Sequence, residues 1–382
     1  MKIGILSLFY KNRNYGGQLQ AFALQKKISE MGFDCEQITY DRQYKGYLYC
    51  LLREIKHSRL KELPHKLMTL IKYILKSAVL FKDLLKIKKR NKVFSAFSES
   101  IPHSRQIYRI DDVKALNDNY DAFVVGSDCV WNLYEDNFVT GLAFADKGKL
   151  KISYAASLGC LHLPDGWAEK YIDKIKDFNS LSVREKTVAD DIRYLLPERK
   201  ISVTADPVLL FTAEEWNSLL PTYTKREKYA LIYILSEDRS QFCAAEKWAH
   251  SVGLKVLTFP HIHNIFRYWQ KGFGDIREFC CNPLEFISLI KNAEIIITDS
   301  FHASIFSALF HKPFYALARD SEKEYVGRVE NFLDDTGLSA QLVDTDKLLS
   351  VTDLPLIDFS EADRIIEEKR KESIQFLKDS LK

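Results

Sequence analysis

The densest run of chemically competent side chains is Ile296-Ile297-Thr298-Asp299-Ser300-Phe301-His302-Ala303-Ser304. An apolar stretch gives way there to five hydroxyl, acidic or imidazole groups among seven residues, a density that packing alone does not explain. His302 can serve as general acid or base near neutral pH, and Ser300 with a following helix start can hold a phosphate. Three further loops carry polar groups. Ser182-Val183-Arg184-Glu185 sets an arginine at a strand end, where its fork fits a carboxylate or phosphate unless Glu185 takes it up. Val125-Gly126-Ser127-Asp128-Cys129-Val130-Trp131-Asn132 suits a small polar ligand, or else a turn capped by Asp128 over a core tryptophan. In Asn12-Arg13-Asn14-Tyr15-Gly16-Gly17-Gln18 the paired glycines allow close backbone approach and the free N–H groups suit an anion. A tight turn is the alternative there, and the GxGxxG dinucleotide fingerprint is absent.

Other candidates carry less. Pro260-His261-Ile262-His263 offers two imidazoles, but no carboxylate or thiol completes a ligand set at suitable spacing, so no metal is expected. Lys271 to Arg277, with two glycines, reads as a mobile loop facing a cleft. Seven cysteines, an odd number without a CxxC pair, fit reduced thiols in a cytoplasmic protein. The opening run Met1 to Tyr10 is followed by Lys11 and Arg13 and reads as a first strand rather than a leader peptide. No uncharged apolar run reaches membrane-spanning length.

The elements that must position these loops alternate. Strands are expected at Ile3–Leu8, Cys35–Tyr40, Ala122–Val125, Ile152–Ala155, Ser180–Val183 and Ile201–Val203, with a helix over Gln18–Met31. Asp206-Pro207 reads as a hinge, since proline holds its predecessor extended. Beyond it, strands are expected at Tyr229–Leu235, Lys255–Phe259, Glu294–Thr298 and Pro313–Leu317, with helices over Arg239–His250 and Ser304–Phe310. Asn282-Pro283-Leu284-Glu285 carries the signature of a capped helix start, and Ser360–Leu381 reads as a long charged helix. The pattern is α/β, two Rossmann-like domains facing a cleft. The N-terminal domain covers 1–205 with a basic helical insert at about 45–98, the C-terminal domain covers 206–355, and a helix occupies 356–382. A chain of 382 residues is long enough for two such domains.

Charge is unevenly distributed. The whole chain carries only +3, which argues against a nucleic-acid partner, yet Lys45–Lys92 holds fourteen basic residues against three acids. An apolar stripe from Leu67 to Leu85 accompanies that charge. Such a segment is either a solvated helical face packed on the core or a contact for an anionic membrane surface.

Taken together, the loops resemble the polysaccharide pyruvyl transferase family. The matching stretches are Asn14 to Ala21, Asp121 to Asp128, Ser153 to Gly159, Ser182 to Glu185, Asp206-Pro207 and Thr298 to His302, in the family's order across roughly residues 3 to 335. The resemblance implies a fold like the GT-B glycosyltransferases. It implies transfer of a pyruvyl group from phosphoenolpyruvate to a sugar diol of a surface-glycan precursor, lipid-linked or oligosaccharide, giving a cyclic ketal and phosphate without a cofactor. It places catalytic roles on His302 and Arg184, a further arginine on Arg328, and substrate contacts on Asn14, Tyr15, Gly16, Gly17, Ser127, Asp128 and Ser300. The sequence departs from the family's commoner pattern at Cys129, where glutamine is frequent, and at Gly17-Gln18, which bears on acceptor contacts. Two other readings stand beside it. One is a GT-B glycosyltransferase using a nucleotide sugar; the other is a catalytically silent glycan-binding assembly protein at the membrane.

Overall fold

The computed structural model describes residues 1–42, 81–132, 137–160, 162–163, 166–223, 227–260, 272–318 and 327–382, together with residues 55, 64, 66–71 and 270. The N-terminal lobe opens with β1 (Lys2–Leu6), α1 (Tyr15–Glu30) and β2 (Asp34–Gln37), a parallel pair joined by its crossover helix. After α2 (Phe81–Ser100) come β3 (Ala122–Val125), β4 (Leu150–Ser153), α3 (Ala168–Ile175), β5 (Leu181–Val183), α4 (Lys186–Leu195) and β6 (Ile201–Val203). The sheet order is β2-β1-β3-β4, and β5-β6 extends it through parallel bridges at Ile152–Ser180 and Ala156–Val183. Val and Ile fill both faces of the central strands, as expected where helices cover a parallel sheet on both sides.

The C-terminal lobe repeats the plan. It runs α5 (Ala213–Leu219), β7 (Tyr229–Tyr233), α6 (Arg239–Ser251), β8 (Lys255–Thr258), β9 (Ile276–Arg277), α7 (Pro283–Lys291), β10 (Ile295–Thr298), α8 (Phe301–Leu309), β11 (Phe314–Leu317), α9 (Arg328–Asp335) and β12 (Leu342–Val343). Its sheet is parallel throughout in the order β12-β11-β10-β7-β8-β9, the doubly wound arrangement with a switch point between β7 and β10. In the N-terminal lobe the switch lies between β1 and β3. The carboxyl ends of these four strands are therefore where ligands are expected.

Tyr15 locks the lobes together. Its ring lies flat on Phe286 of α7, centroids 4.4 Å apart and planes 2° from parallel, with Tyr233 and Phe259 edge-on. Its hydroxyl donates to the Cys281 carbonyl at 3.3 Å. Such stacking adds about 1 kcal/mol beyond the area buried. The last helix, α10 (Ser360–Ser380), returns to the N-terminal side, where Arg370 Nε donates to Leu209 O at 2.8 Å and Ser373 Oγ accepts the Ala205 N–H at 2.9 Å.

The expected two-lobe α/β architecture is present, with five departures. The stretch Asp206–Phe211, expected to open the C-terminal domain, packs on the N-terminal side, where Asp206 meets Arg184 and the turn Pro207–Leu210 lies on α1. Helix α1 begins at Tyr15, so Tyr15, Gly16 and Gly17 are its first turn and not a loop, because Asn14 caps it by accepting the Gly17 N–H at 3.2 Å. Helix α8 likewise starts at Phe301 and not Ser304, with Ser300 as cap. The 271–277 segment, expected as a loop, ends in the edge strand β9, and Phe273 within it is buried in the core. Arg90, counted with the basic surface, is buried: it stacks over Tyr15 and Phe94 and donates to the Arg13 carbonyl at 3.3 Å. Most of the basic segment, and His261 with His263, lie outside the described residues. Among the described residues, no helix is long and apolar enough to cross a membrane.

Candidate active site

Most of the polar density after β10 serves the backbone. Thr298 Oγ1 donates to the Tyr233 carbonyl at 2.5 Å and accepts the Ser300 N–H at 3.0 Å. The Asp299 carboxylate accepts the Leu235 and Ser236 N–H groups at 2.6 and 2.8 Å, tying the ends of β7 and β10 together. Ser300 caps α8 through the Ala303 N–H at 3.5 Å, and Ser304 donates back to the Ser300 carbonyl. Together these fix the first turn of α8, from which His302 projects.

His302 points across the lobe boundary and is 6% exposed. A Cβ added to Gly16 would fall 2.0 Å from its Nδ1, so only glycine at the start of α1 lets the imidazole sit there. Phe301 meets the ring edge-on at 5.2 Å. Its Nε2 lies 3.5 Å from Asp206 Oδ2, a long ion contact rather than a formed hydrogen bond, and has no hydrogen-bond partner among the described residues.

Asp206 is the hub. Its Oδ1 accepts the Val208 N–H at 3.2 Å, capping the turn Pro207–Leu210, which leaves Oδ2 for charge. Arg184 Nη1 donates to that oxygen at 2.9 Å, Arg184 Nε donates to Glu185 Oε1 at 3.1 Å, and Nη1 lies 3.8 Å from Asp128 Oδ1. The guanidinium also packs 4.4 Å over the Phe301 ring. Glu185 is held in turn by the Ser157 hydroxyl at 2.6 Å. From the other lobe Arg328 Nη1 reaches Asp128 Oδ1 at 3.3 Å and Cys129 Sγ at 3.5 Å.

These contacts set the protonation states. Burial pushes the Asp206 carboxyl up, but His302 and Arg184 outweigh it and hold it at about 2. For Asp128, burial is likewise overcome by Arg328 and Arg184, leaving the carboxyl below its usual range. Burial pulls the Arg184 guanidinium down, and Glu185, Asp206 and Asp128 more than restore it. Cys129 is pushed up to about 12 by burial, so it is a neutral thiol at the site and not a nucleophile. Two ionised carboxylates, Asp128 and Asp206, thus join two arginines from opposite lobes, with His302 beside Asp206.

The structure brings His302, Arg184, Asp128, Arg328 and Gly16 together. It places the other expected contacts differently. Asn14 and Ser300 are helix caps, and Tyr15 is buried in the interlobe aromatic cluster. Gly17 faces Asn12, where a Cβ would come within 2.4 Å of its amide nitrogen. The Ser127 hydroxyl donates to the Ala155 carbonyl at 2.8 Å and its N–H to Gln20. Asp206 was read from sequence as a hinge and Glu185 as a competitor for Arg184; both lay in stretches matching the family, but neither was given a role in the site. The signal for Asp206 was the Asp206-Pro207 pair following Arg184 in a fixed order, which marks its place in the chain but not its facing groups.

Beside this constellation opens a cleft walled by Arg184, Lys186, Asp206, Phe301, Arg328 and Lys369 among others. His302 stands behind Asp206 and Phe301 rather than on the wall.

Among solved structures, the chain is similar to UDP-GlcNAc 2-epimerase from Neisseria meningitidis, at 11% identity and TM-score 0.50 over 100% of this chain and 99% of that one. It also aligns with the Methanocaldococcus jannaschii UDP-GlcNAc 2-epimerase at 13% identity and TM-score 0.46, covering 96% of this chain and 99% of that one. At such identities a likeness speaks to fold alone, and the Neisseria match supports the two-lobed GT-B-like reading. No curated protein matches the chain by sequence. Residues 14–321, from the cap of α1 past His302, match the family model described as polysaccharide pyruvyl transferase. That span contains Gly16, Asp128, Arg184, Asp206 and His302, the groups that converge between the lobes, and the chain belongs to the polysaccharide pyruvyl transferase family.

Proposed function

We propose that the protein transfers the pyruvyl group of phosphoenolpyruvate to two hydroxyls of one sugar in a surface-glycan precursor. The observation that carries this reading is the cross-lobe set Arg184–Asp206–His302, a fixed cation and a proton-handling imidazole sharing one ionised carboxylate beside a cleft. Phosphoenolpyruvate presents a carboxylate and a phosphate, both matched by guanidinium groups. In the reaction the methylene carbon gains a proton, one sugar hydroxyl adds to the resulting oxocarbenium carbon, phosphate departs, and the second hydroxyl closes the ketal. Two hydroxyl protons are lost, one is regained by carbon, and the other leaves with phosphate. Every step moves a proton or unmasks charge. His302 supplies the proton-transfer group, Asp206 balances a charged imidazole, and Arg184 holds an anionic end of the donor.

The test is phosphate release from phosphoenolpyruvate against a panel of lipid-linked and nucleotide-linked sugars, with product analysis. His302→Ala is expected to lower turnover by about a hundredfold with the donor still bound, whereas Arg184→Ala raises the donor KM as well. Near-normal turnover of His302→Ala at saturating acceptor removes His302 from the mechanism. A melting-temperature rise with a nucleotide sugar as donor and none with phosphoenolpyruvate replaces the reading with glycosyl transfer.

A further inference from the structure

A second hollow lies on the N-terminal lobe and shares no wall residue with the interlobe cleft. It forms between the segment that follows β1 and one face of α2. Buried Phe9 and Phe94 make its floor, and half-buried Tyr10 adds an aromatic edge. The loop is fastened from below. Gln18 Nε2 donates to the Phe9 and Asn12 carbonyls, each at 2.8 Å. Asn12 Nδ2 donates to the Leu8 carbonyl at 2.6 Å, and its Oδ1 accepts the Asn14 N–H at 2.9 Å. A wall held in this way is already shaped and loses little freedom when a ligand settles on it.

The polar groups of the hollow are, by contrast, uncommitted. Asn91, Ser95 and Glu99 are spaced four apart, on one face of α2, and all three line it. Their side chains, and the guanidinium of Arg13 from the loop, have no hydrogen-bond or ion partner among the described residues. His103 Nδ1 lies 2.6 Å from the Ile101 carbonyl oxygen and so carries the proton there, which leaves Nε2 as an acceptor. Charge is balanced. Lys11 is paired with Asp41 at 2.8 Å, and Arg13 offsets Glu99, so nothing here selects an ion. Free donors and acceptors over an aromatic floor match a ligand whose hydroxyls do both on an apolar ring frame.

We propose that this hollow binds a neutral saccharide unit, outside the cleft where the chemistry takes place. Resting on the function proposed above, the unit belongs to the acceptor glycan but is not the sugar that is modified. Arg13 stands three residues before Gly16, against which His302 sits, so their Cα atoms are within about 11 Å of each other. A glycan can therefore lie across the first turn of α1 with one sugar in the hollow and another in the cleft. The acceptor class is then an oligosaccharide rather than a single sugar.

The probe is an array of immobilised uncharged oligosaccharides of common hexoses and N-acetylhexosamines, with sulfated and phosphorylated glycans beside them. The full chain is applied at low and at high salt. Wild type is expected to be retained on at least one uncharged glycan, equally at both salts. Ser95→Trp fills the hollow from an exposed helix position and should lower retention at least about tenfold, with thermal melting unchanged. Asn91→Ala and Glu99→Ala should each lower it about threefold to tenfold, the scale of a lost hydrogen bond. Lys92→Gln, on the same helix but outside the hollow, should leave it unchanged. In turnover, Ser95→Trp should raise the KM for an oligosaccharide acceptor more than that for a monosaccharide glycoside. Retention of no uncharged glycan, retention confined to anionic glycans and falling with salt, or equal retention of Ser95→Trp overturns the hollow, even where phosphoenolpyruvate still yields a ketal. Retention that Ser95→Trp abolishes, in a protein giving no pyruvylated product, upholds the hollow and overturns the transfer reading instead.

Discussion

Asp206→Asn is the sharpest single perturbation of the site, because it removes a charge while nearly preserving shape. The amide oxygen can still accept the Val208 N–H and keep the cap on the turn. The amide NH2 then faces Arg184 Nη1, so a donor opposes a donor where 2.9 Å now separates opposite charges. A carboxyl lowered from 3.8 to about 2 corresponds to about 2 kcal/mol of preferential stabilisation of the ionised form in the folded state. A charged hydrogen bond lost in the interior is worth about 1.5–3 kcal/mol, an independent route to the same figure rather than an addition to it. The variant is therefore expected to be about 2–3 kcal/mol less stable at pH 7 by urea unfolding. The pH dependence fixes the cause. A carboxyl depressed in the folded state stabilises fully above its unfolded value near 4, and that stabilisation is lost as pH falls toward 2. The gap between wild type and Asp206→Asn should be constant from pH 7 to 5 and narrow steadily below 4. Turnover should fall by about a hundredfold, since both Arg184 and His302 lose their shared counter-ion. A gap below about 0.5 kcal/mol, or one that stays flat down to pH 3, would refute the assignment of Asp206 as the hub.

Two further expectations follow from geometry. Gly16→Ala should lower turnover at least about tenfold, by pushing the imidazole off its place, while the unfolding midpoint moves less than for Tyr15→Ala, which empties the interlobe aromatic cluster and should cost about 3–5 kcal/mol. The basic segment, with Leu67, Met68, Ile71 and Leu85 exposed, is expected to draw the protein to anionic vesicles at low salt. Replacing Lys86, Lys88, Lys89 and Lys92 by glutamine, with buried Arg90 left in place, should reduce co-sedimentation; a wild type that ignores such vesicles identifies the segment as a solvated face.

The two-lobe α/β plan was legible because its central strands are short apolar runs bounded by turn residues. Ala122–Val125 and Ile201–Val203 have the observed bounds, and Asn282-Pro283-Leu284-Glu285 forms the full capping box that its spacing predicts. β9 and β12, two residues each, are too short for any periodicity to register. Helix starts were placed three residues late at α1 and α8, since both open on residues that also read as loop: paired glycines in one case, Phe301-His302-Ala303 in the other. Within the site, His302 and Arg184 stood out as polar groups at strand ends. Asp206 did not, because its role depends on His302, 96 residues away in sequence and in the other lobe. Ser127 and Ser300 looked like ligand contacts for the reason that makes them good structural residues: a small hydroxyl beside a buried strand end satisfies a backbone group as readily as it does a substrate.

The return of α10 to the N-terminal side makes the chain pass between its lobes twice. The chain crosses once after Phe211 and again along α10, whose first half pairs with the C-terminal lobe through His311–Asp363 and Asp335–Lys369 before Arg370 and Ser373 reach the N-terminal side. The C-terminal lobe is therefore an insertion between the first sheet and the helix that finishes covering it. No single cut releases two complete lobes. A fragment ending near residue 220 would leave bare the surface around Ala205, Leu209 and Phe211 that Arg370 and Ser373 now cover. Two crossing strands also define a line, and rotation about that line is the motion that stretches neither. A pair of fused halves of this kind can be recombined with another family member only by exchanging the inner lobe at both junctions together, leaving the outer lobe and its terminal helix as one heritable unit.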